Sequence, residues 1–465
     1  MKNAIQKIKS ISIFSKLFLL MLILMLSQKS YSQTWSDVGG GMCDWVNASV
    51  VYNGELIVGG RFTCANGVPA NYIAKWNGTS WSALGTGVNG WVDALTVYKG
   101  NLIVGGSFSQ AGSTAVMNLA KWNGTSWSDV NGDMGGQVQA LTVYNNDLIV
   151  GGYFTDADGF TANYIVGYNN IVGWFDLGGG MSSQVMALNV YGTDLIAAGF
   201  FTTAGGTAAP HIAKWNGTSW SSLGSGIAWI TYSLGTYQGD LIAGGLFSQA
   251  GGVTANSIAK WDGTSWAPLG SGMGATSVGY NYVFALAEYN GSLFAGGMYE
   301  SAGGVLANSI AKWDGTSWID LNGGVWYGGS NVYAVNALTV YNNDLYASGI
   351  FTSAGAESVA HIAKWNEPPL AINEVNPASA IQLSQNSPNP FNQSTSISYS
   401  VYVAGNIKVV VNDITGREIK MLVNETKQAG DYAYELNGND LSQGIYFLKL
   451  ISGNTNQTIK LIKTE

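Results

Sequence analysis

The sequence predicts an all-β protein in which a seven-bladed β-propeller is followed by a small Ig-like antiparallel β-sandwich. Three observations carry this prediction. Seven units of about 47 residues repeat between Trp35 and Asn366, each with several short segments rich in β-branched and aromatic residues. The last unit lacks its fourth segment, and the final 85 residues carry no such repeat. Periods of this length with several strands per unit are typical of propellers.

Each repeat unit is predicted to be one four-stranded blade. A glycine followed two residues later by an aromatic residue, as at Gly60 and Phe62, recurs at spacings of 46, 46, 47, 46, 52 and 52 residues. Asn-Gly or Asp-Gly pairs, as at Asn123-Gly124, supply the positive φ values of a type I′ turn between the third and fourth strands. The four strands of the second unit are predicted at 91–98, 101–109, 117–122 and 125–130.

The ends of the repeat region predict how the ring closes. The last unit stops after Lys364-Trp365-Asn366 without a fourth strand, and residues 34–39 (TWSDVG) have the sequence of that strand. The N-terminal segment is therefore predicted to complete the seventh blade of a propeller that spans 33–366. Closure removes free sheet edges, which are otherwise sites of unwanted pairing.

Residues 1–32 are predicted to be a secretory signal peptide. A lysine-rich start precedes the apolar run 17–26, which is too short to span a bilayer, and small residues follow at Ser30 and Ser32. An uncleaved N-terminal anchor is the alternative, and no later segment of the sequence is predicted to be transmembrane. Loss of 1–32 removes five lysines and no acid, so the mature chain is more acidic than the full chain at −8. Such a charge argues against nucleic acid or an anionic membrane as a partner.

Cys43 and Cys64 are the only cysteines of the chain. The first hairpin of their unit turns at Asn53-Gly54, so the numbers of two residues paired across it sum to 107. Cys43 and Cys64 meet this condition. The sequence therefore predicts a disulfide between the first and second strands of the first blade, in an oxidising compartment. Two unrelated buried thiols are the alternative.

The sequence offers few candidates for metal binding or catalysis. Asp156 and Asp158, just before Gly159, are candidate ligands of Ca²⁺, with an exposed acidic turn as the alternative. His211 and His361 occupy one repeat position on different blades, which makes a shared metal ion improbable. Most acids recur before the second strand, and no pair has the unique, close arrangement of catalytic carboxyl groups. No catalytic residue and no firm cofactor are predicted.

Aromatic residues that depart from the repeat concentrate in the loops before the first strands. These loops are expected on one face of the ring, near its axis. Aromatic rings beside Gln and Asn suit sugars, which have apolar faces and hydroxyl edges. The alternative is that these rings fill the loops and the contacts between blades. The candidate ligand-binding residues are Trp45, Trp91, Trp229, Tyr280, Tyr282, Trp326 and Tyr327.

The C-terminal region differs from the repeats. Prolines concentrate between Pro368 and Pro390, which predicts a linker at 367–380. Residues 381–465 then alternate between polar and apolar residues, which favours a small antiparallel β-sandwich. Four motifs follow in order, and they are residues 383–391 (LSQNSPNPF), 413–417 (DITGR), 440–447 (DLSQGIYF) and 458–463 (TIKLIK).

These four motifs resemble the C-terminal sorting domain of type IX secretion cargo. The resemblance implies export through the periplasm and across the outer membrane of a Bacteroidetes-type bacterium by the type IX secretion machinery. It also implies removal of the domain, with release or surface attachment of the rest. An ordinary Ig-like binding module is the alternative. The motif residues are Pro388, Asn389, Pro390, Phe391, Gly444, Tyr446 and Lys460.

The propeller repeats resemble known families as well. The run 212–224 (IAKWNGTSWSSLG) is similar to the repeats of a fungal cortical-marker propeller, and the Gly-Gly pairs with paired aromatics resemble kelch repeats without their inter-blade basic motif. Neither resemblance assigns a catalytic residue. The sequence thus favours a secreted or cell-surface, non-enzymatic propeller that binds a glycan or an extracellular protein. An extracellular glycan-processing enzyme and a structural surface scaffold are the alternatives.

Overall fold

The computed structural model describes residues 34–274, 279, 281–328, 334–367, 381–402, 404–413, 417–452 and 455–464. The predicted signal peptide, nearly all of the predicted linker and Tyr280 lie outside these residues. Contacts divide the chain into two units, Met1–Pro368 and Pro369–Glu465. The described secondary structure is β-strand apart from one 3₁₀ turn, Gly438–Asp440, so the predicted all-β class is confirmed. No described helix has the length and apolar character needed to span a bilayer.

In the first unit, the described residues form seven four-stranded antiparallel sheets, here numbered 1 to 7 by the order of their first strands. The first strands are Val46–Tyr52, Trp91–Tyr98, Gln137–Tyr144, Val185–Tyr191, Thr231–Tyr237, Tyr282–Tyr289 and Ala334–Tyr341. The second strands are Glu55–Gly60, Asn101–Ser107, Asp147–Tyr153, Asp194–Gly199, Asp240–Gly245, Ser292–Met298 and Asp344–Ile350. The third strands are Ile73–Trp76, Leu119–Trp122, Ile165–Asn169, Ile212–Trp215, Ile258–Trp261, Ile310–Trp313 and Ile362–Asn366. The fourth strands are Trp81–Ala83, Trp127–Asp129, Gly173–Phe175, Trp220–Ser222, Trp266–Pro268, Trp318–Asp320 and, for sheet 7, Thr34–Asp37.

The first strands contact one another in sequence, and the first strand of sheet 7 contacts that of sheet 1. The sheets therefore form a closed, propeller-like ring with the first strands innermost. The repeated Gly-Gly pair permits this packing. A Cβ atom on Gly59 would lie 2.3 Å from a methyl carbon of Val92 in sheet 2, and one on Gly60 would lie 2.1 Å from the carbonyl oxygen of Trp45. Side chains at these positions would separate strands that are in contact.

The N-terminal strand completes sheet 7. Thr34–Asp37 pairs antiparallel with Ile362–Asn366 and places Trp35 opposite Trp365. The two indole rings lie 5.0 Å apart between centroids, and the Nε1–H of Trp35 donates to the carbonyl oxygen of Leu321 at 2.8 Å. Trp35 and Trp365 are both buried, so the first and last strands of the ring share one core cluster.

A short hairpin follows each second strand, and each hairpin bridges to the loop before the first strand of the same sheet. This end of the ring is termed the loop end, and the end where first and second strands join is termed the turn end. Met273–Gly274 and Val325–Trp326 add a third strand to the hairpins of sheets 6 and 7. The hairpins are Cys64–Ala65 with Val68–Pro69, Gln110–Ala111 with Thr114–Ala115, Asp156–Ala157 with Phe160–Thr161, Thr203–Ala204 with Thr207–Ala208, Gln249–Ala250 with Val253–Thr254, Ser301–Ala302 with Val305–Leu306, and Ser353–Ala354 with Glu357–Ser358.

The predicted disulfide between Cys43 and Cys64 is confirmed, with a Cα–Cα distance of 5.5 Å. Its predicted position between the first and second strands is wrong. Cys64 lies in the loop-end hairpin, Cys43 precedes the first strand, and the N–H of Cys43 donates to the carbonyl oxygen of Cys64 at 3.1 Å. The disulfide therefore joins the loop before sheet 1 to the hairpin that follows its second strand.

The first and second strands of sheet 1 end at Val46 and Gly60, before they reach the cysteines, and a β-bulge lies next to these ends. Ala48 pairs with Gly59, but the next pair towards the loop end is Val46 with Gly60, because Asn47 is an extra residue in the first strand. A bulge shifts the pairing beyond it by one residue. The simple hairpin register that the sequence suggested is therefore interrupted at Asn47, although the residue numbers of the bridged pair Met42 and Ala65 again sum to 107.

The second unit contains two antiparallel sheets. One sheet has three strands, Ile381–Leu383, Ser394–Val401 and Gly430–Asn437. Residues from both sheets, among them Ile397 and Leu448, are buried in one core cluster. The other sheet has the strand order Glu418–Lys427, Gly405–Asn412, Gly444–Ser452 and Thr455–Lys463.

Candidate functional site

All seven first strands carry a β-bulge at one repeat position, near the loop end. Six of the bulged residues line a cavity of about 240 Å³ between the first strands. The seventh, Asn47, borders this cavity through its hydrogen bond to Asp93. The seven are termed the bulge ring, and from sheet 1 to sheet 7 they are Asn47, Asp93, Gln139, Met186, Tyr232, Phe284 and Asn336.

The bulge ring is divided by chemistry. Sheets 7, 1, 2 and 3 contribute amides and one carboxylate, and these four residues are termed the polar arc. Sheets 4, 5 and 6 contribute Met186, Tyr232 and Phe284, which are termed the aromatic arc. Next to the ring on the turn-end side, the cavity is lined by leucines from six of the sheets. A ligand at this point of the channel would meet a polar wall on one side and an apolar wall on the other.

Hydrogen bonds between sheets fix the polar arc. The Nδ2–H of Asn336 donates to the Val46 carbonyl oxygen at 3.0 Å, and the Nδ2–H of Asn47 donates to Oδ1 of Asp93 at 2.9 Å. The Nε2–H of Gln137, from sheet 3, donates to Oδ2 of Asp93 at 2.8 Å. Two amides from two neighbouring sheets therefore hold the carboxylate of Asp93.

Two buried polar atoms near this network have no hydrogen-bond partner in the structure, Oε1 of Gln139 and Nε of Arg61. Unpaired buried polar atoms are uncommon in folded proteins, so each needs a physical explanation. Gln139 lines the cavity, where a ligand donor would satisfy its oxygen.

Arg61 contacts two of the predicted ligand-binding residues. Its guanidinium carbon is 3.9 Å from the ring centroid of Trp91 and 4.7 Å from that of Trp45, which is cation–π geometry. Arg61 is the only arginine of the repeat region. Burial raises the pKa of Asp93, and the hydrogen bonds from Gln137 and Asn47 and the positive charge of Arg61 oppose this shift.

Aromatic rings pack closely in the aromatic arc. Tyr232 meets Phe284 edge to face at 5.4 Å and Tyr282 at 5.7 Å, while Tyr282 stacks on Phe284 at 5.3 Å. Phe200 of sheet 4 approaches Tyr232 at 6.0 Å. Such contacts hold the rings in fixed orientations along one side of the cavity.

The structure does not assemble the predicted aromatic residues into one platform. Trp45, Trp91 and Tyr282 each lie two residues before a bulged residue, next to the ring on the loop-end side. Arg61 covers one face of Trp91, although 44% of this residue remains exposed. These three residues lie at the loop-end opening of the channel between the first strands, which is termed the channel mouth.

The other predicted aromatic residues lie in separate loops. Trp229, 55% exposed, lies 5.9 Å from the ring of His211, and Tyr327 lies 6.1 Å from the ring of His361. Trp326 is exposed and pairs with a hairpin residue of sheet 7. Burial lowers the pKa of both histidines, and each Nδ1 lies within hydrogen-bond distance of a carbonyl oxygen of its own sheet.

Hydrogen bonds with backbone groups hold the acidic turn that was predicted to bind Ca²⁺. Oδ1 of Asp156 accepts a hydrogen bond from the N–H of Gly159 at 3.2 Å, and the N–H of Asp158 donates to the carbonyl oxygen of Asp133 at 2.7 Å. In the described part of the chain, no three His, Cys, Asp or Glu side chains come together as a metal-binding group. Calcium binding at Asp156 and Asp158 stays a prediction.

Sequence reasoning missed the bulge ring and Arg61. A signal was nevertheless present, because six of the seven first strands read V-x-A, and the residue between is different in nearly every unit. A position that varies inside a conserved repeat pattern contributes little to the shared fold. The comparison of units with one another, residue by residue, would have identified it.

In the second unit, three of the four predicted sorting motifs contact one another, and residues 414–416 of the remaining motif lie outside the described residues. The Nδ2–H of Asn389 donates to the carbonyl oxygen of Lys460 at 3.0 Å, and Oδ1 of Asn389 accepts from the N–H of Ile462 at 2.9 Å. Phe391 is buried, and its N–H donates to the carbonyl oxygen of Ile462. The segment from Pro388 to Phe391 is thus fixed to the last strand. Strand Gly444–Ser452 pairs with that same strand, and the hydroxyl of Tyr446 donates to the carbonyl oxygen of Ser442.

No protein of curated function matches the chain. Among solved structures it is similar to a novel fungal alcohol oxidase with catalytic diversity among the AA5 family, in complex with copper, at 12% identity and a TM-score of 0.38 over 92% of this chain and 99% of that chain. It is also similar to a glycoside hydrolase family 43 arabinoxylan arabinofuranohydrolase from Bacillus subtilis in complex with cellotetraose, at 12% identity and a TM-score of 0.22 over 71% of this chain and 94% of that chain. At these TM-scores neither similarity supports an inference about activity.

Residues 387–464 match the family described as the secretion system C-terminal sorting domain. The match includes all the predicted sorting residues, from Pro388 to Lys460. The predicted sorting domain is therefore confirmed, and with it the predicted destination. The chain carries a type IX secretion sorting domain at its C-terminus and is exported to the cell surface or the extracellular space.

Proposed function

We propose that the repeat region is a non-enzymatic binding module that takes a glycan, or a segment of an extracellular protein, at the channel mouth on the loop end. The observation that supports this proposal is the division of the bulge ring. The ring holds amides and a carboxylate on one side and Met, Tyr and Phe on the other. Sites for small ligands commonly combine apolar walls with a few convergent polar groups.

A sugar ring fits this division better than a peptide. Its hydroxyl groups can donate to Asp93 and to the unpaired Oε1 of Gln139, while its C–H face packs on the aromatic arc. The cavity of about 240 Å³ is smaller than the usual range for drug-sized ligands, about 300–1,000 Å³, so it suits a single ring.

A glycan-processing enzyme is the second candidate, because a carboxyl group with a raised pKa is what general acid catalysis requires. Burial raises the pKa of Asp93 in this way. Most glycoside hydrolases, however, place two carboxyl groups around the scissile bond. Asp93 is the single carboxyl group among the described residues that line the cavity. This favours binding over hydrolysis.

The test is a glycan array with the full chain, followed by titration of the glycans that are retained. Asp93→Ala and Gln139→Ala should lose most of the binding. Asp147→Ala, which changes an acid at the turn end of sheet 3, is the matched control and should bind as the wild type does. Thermal melting should show that all variants fold.

Three other results would change the assignment. Equal binding by wild type and Asp93→Ala would place the ligand elsewhere. Release of glycan fragments by the wild type, lost in Asp93→Ala, would identify an enzyme. An array without any retained glycan, with a protein captured at the cell surface through Asp93, would favour the protein ligand.

A further inference from the structure

A second aromatic surface lies beside the polar arc, on sheet 3. Tyr153 ends the second strand of this sheet and is 57% exposed. Its ring stacks on that of Tyr164, with centroids 6.2 Å apart and an interplanar angle of 30°. Tyr153 is the only exposed aromatic residue at its repeat position. In the other sheets, that position holds Arg61, Ser107, Phe200, Leu246, Met298 and Ile350.

The loop next to Tyr153 leaves the ring uncovered. Gly135 and Gly136 form the end of the loop that leads into sheet 3, whereas Trp229 occupies the matching position before sheet 5. The chain at Gly136 passes so close to Tyr153 that an added Cβ atom would lie 2.1 Å from the Tyr153 carbonyl oxygen. A side chain that could cover the ring is therefore missing from this loop, and none fits at Gly136.

One residue connects this surface to the channel mouth. Gln137 pairs directly with Tyr153 across the first two strands of sheet 3, and its amide also donates to Asp93. Neighbouring strands lie about 4.8 Å apart. A ligand that contacts the polar arc would therefore reach the ring of Tyr153 with its next unit.

The charge around this surface restricts the ligand further. Asp133, Asp156 and Asp158 belong to the loop and hairpin beside Tyr153. The positive charge of Arg61, on sheet 1, is in cation–π contact with the rings of Trp45 and Trp91. Negative charge on a ligand would be repelled by the three carboxylates, and neutral hydroxyl groups would find acceptors there.

We infer that the binding site extends from the channel mouth onto Tyr153 and Tyr164, and that its ligand is a neutral oligosaccharide of at least two sugar rings. One ring occupies the cavity beside Asp93 and Gln139. The next ring stacks on the exposed face of Tyr153. This inference rests on the proposed glycan-binding function and specifies its ligand class.

The test is isothermal titration of the full chain with mono-, di-, tri- and tetrasaccharides of the neutral xylose, mannose and glucose series. Oligogalacturonates serve as the anionic probes. The variants are Tyr153→Ala, Tyr153→Phe and Ile350→Ala, the last being the matched control at the same repeat position on sheet 7. Asp93→Ala tests the channel mouth separately.

The affinity of the wild type should rise from monosaccharide to disaccharide in the series that binds. Tyr153→Ala should remove this rise, a loss of about tenfold, the effect expected when one ring contact is lost. Tyr153→Phe keeps the ring and should keep the rise, as should Ile350→Ala. Oligogalacturonates should bind more weakly than the neutral series.

The outcomes separate this inference from the proposed function. If Asp93→Ala abolishes binding but Tyr153→Ala binds disaccharides as the wild type does, the proposed site at the channel mouth is supported and its extension onto sheet 3 is wrong. Equal affinity for mono- and disaccharides, or preference for oligogalacturonates, would also overturn the extension. If no saccharide binds, the proposed glycan ligand is wrong and this inference fails with it; if Asp93→Ala changes nothing, the proposed site at the channel mouth is wrong.

Discussion

The two ends of the ring differ in how strictly they keep the repeat. At the turn end of sheets 1, 4, 5 and 7, a lysine of the third strand forms an ion pair with the acid that begins the second strand, whereas sheet 2 has Asn101 in place of the acid and sheet 3 has Gly167 in place of the lysine. At the loop end, the bulged residues differ in nearly every sheet. The repeated ion pairs are Lys75 with Glu55 at 2.8 Å, Lys214 with Asp194 at 3.4 Å, Lys260 with Asp240 at 2.9 Å and Lys364 with Asp344 at 3.1 Å.

The comparison of the two ends separates residues that are constrained by folding from residues that are not. Residues that every sheet needs, for strand pairing and for packing on its neighbours, stay the same. The bulge ring occupies equivalent backbone positions but carries different chemistry in different sheets, so folding does not determine its residues. This divergence is consistent with the proposed binding site at the loop end, where the ligand and not the fold would determine the residues.

Sheet 6 keeps the lysine of this pattern but pairs it with an acid from outside the sheet. Its second strand begins with Ser292 in place of an acid, and Lys312 instead pairs with Glu367 at 2.8 Å. Glu367 follows the third strand of sheet 7, and it also accepts a hydrogen bond from Asn290 at 3.3 Å. The side chains of Lys312 and Glu367 are only 16% and 6% exposed. The end of the repeat region thus supplies the missing acid to its neighbour.

The largest effect should come from the strand that completes sheet 7. Deletion of residues 34–37 removes the buried Trp35 and leaves the edge of Ile362–Asn366 unpaired. Loss of a buried tryptophan alone costs about 3–5 kcal/mol, so the deletion should lower the free energy of unfolding by roughly 5 kcal/mol or more. Urea unfolding measures the change.

A matched pair of variants separates the two contributions. Trp35→Ala and Trp81→Ala remove the same fourth-strand residue from sheets 7 and 1, and should cost similar amounts. The deletion should cost clearly more than either. An unfolding curve of the deletion variant that coincides with that of Trp35→Ala would mean that the strand itself contributes nothing.

The second prediction compares the stability that two ion pairs of the turn end contribute. Glu367→Gln leaves the nearly buried Lys312 without its carboxylate, which should cost about 3 kcal/mol because one partner of a buried pair is removed. Glu55→Gln acts on a pair whose side chains are about one third exposed, and it should cost less than about 1 kcal/mol. Equal losses in the free energy of unfolding would show that the pair of Glu367 with Lys312 contributes no more than an exposed ion pair of the turn end.

The disulfide gives a smaller effect at the loop end. It encloses a sequence separation of 21 residues, and the first hairpin of sheet 1 already orders most of this segment. The double variant Cys43→Ser with Cys64→Ser should therefore lose about 2 kcal/mol, at the low end of the usual range. Thermal melting of the wild type with and without reductant should give the same loss of stability. Two titratable thiols in denatured, unreduced protein would contradict the bond.

Much of the ring could be predicted from the sequence, because strand composition and turn residues recur in every unit. The strand Thr34–Asp37 was recognisable because its sequence repeats that of six other strands. The bulges were not recognisable, since an extra residue such as Asn47 leaves no mark in an alternating pattern. The pairing of Val46 with Gly60 was therefore predicted wrongly. The place of the disulfide was wrong because both strands of sheet 1 end before the cysteines.

The candidate site was harder to predict because its contacts join different sheets. The hydrogen bonds from Asn47 and Gln137 to Asp93 exist only once three sheets stand side by side in the ring. Loop aromatics such as Trp229 were predicted to bind a ligand because they depart from the repeat. Tyr153 did not, because an aromatic residue is ordinary at the end of a strand. Glu367 was assigned to the linker because the repeat pattern stops at Asn366.

The smallest predicted effect concerns the free energy of unfolding at the channel mouth and its dependence on pH. Burial raises the pKa of Asp93 above the ordinary value of 3.8. The carboxyl group is therefore harder to ionise in the folded protein than in the unfolded chain. The stability that this shift contributes is fully present below pH 3.8 and is lost as the pH rises through the folded pKa.

Asp93→Asn keeps the shape of this side chain and does not titrate. The stability of the variant relative to the wild type should therefore increase from acidic to neutral pH, whatever hydrogen bond the new amide loses. Thermal melting of both proteins over this range measures the difference, and Asp147→Asn at the turn end controls for the general loss of one carboxylate. A difference that stays flat, or falls, as the pH rises would contradict the buried state of Asp93. A rising difference, together with lost glycan binding, would show that the loop end keeps a destabilising carboxylate because its ligand requires it.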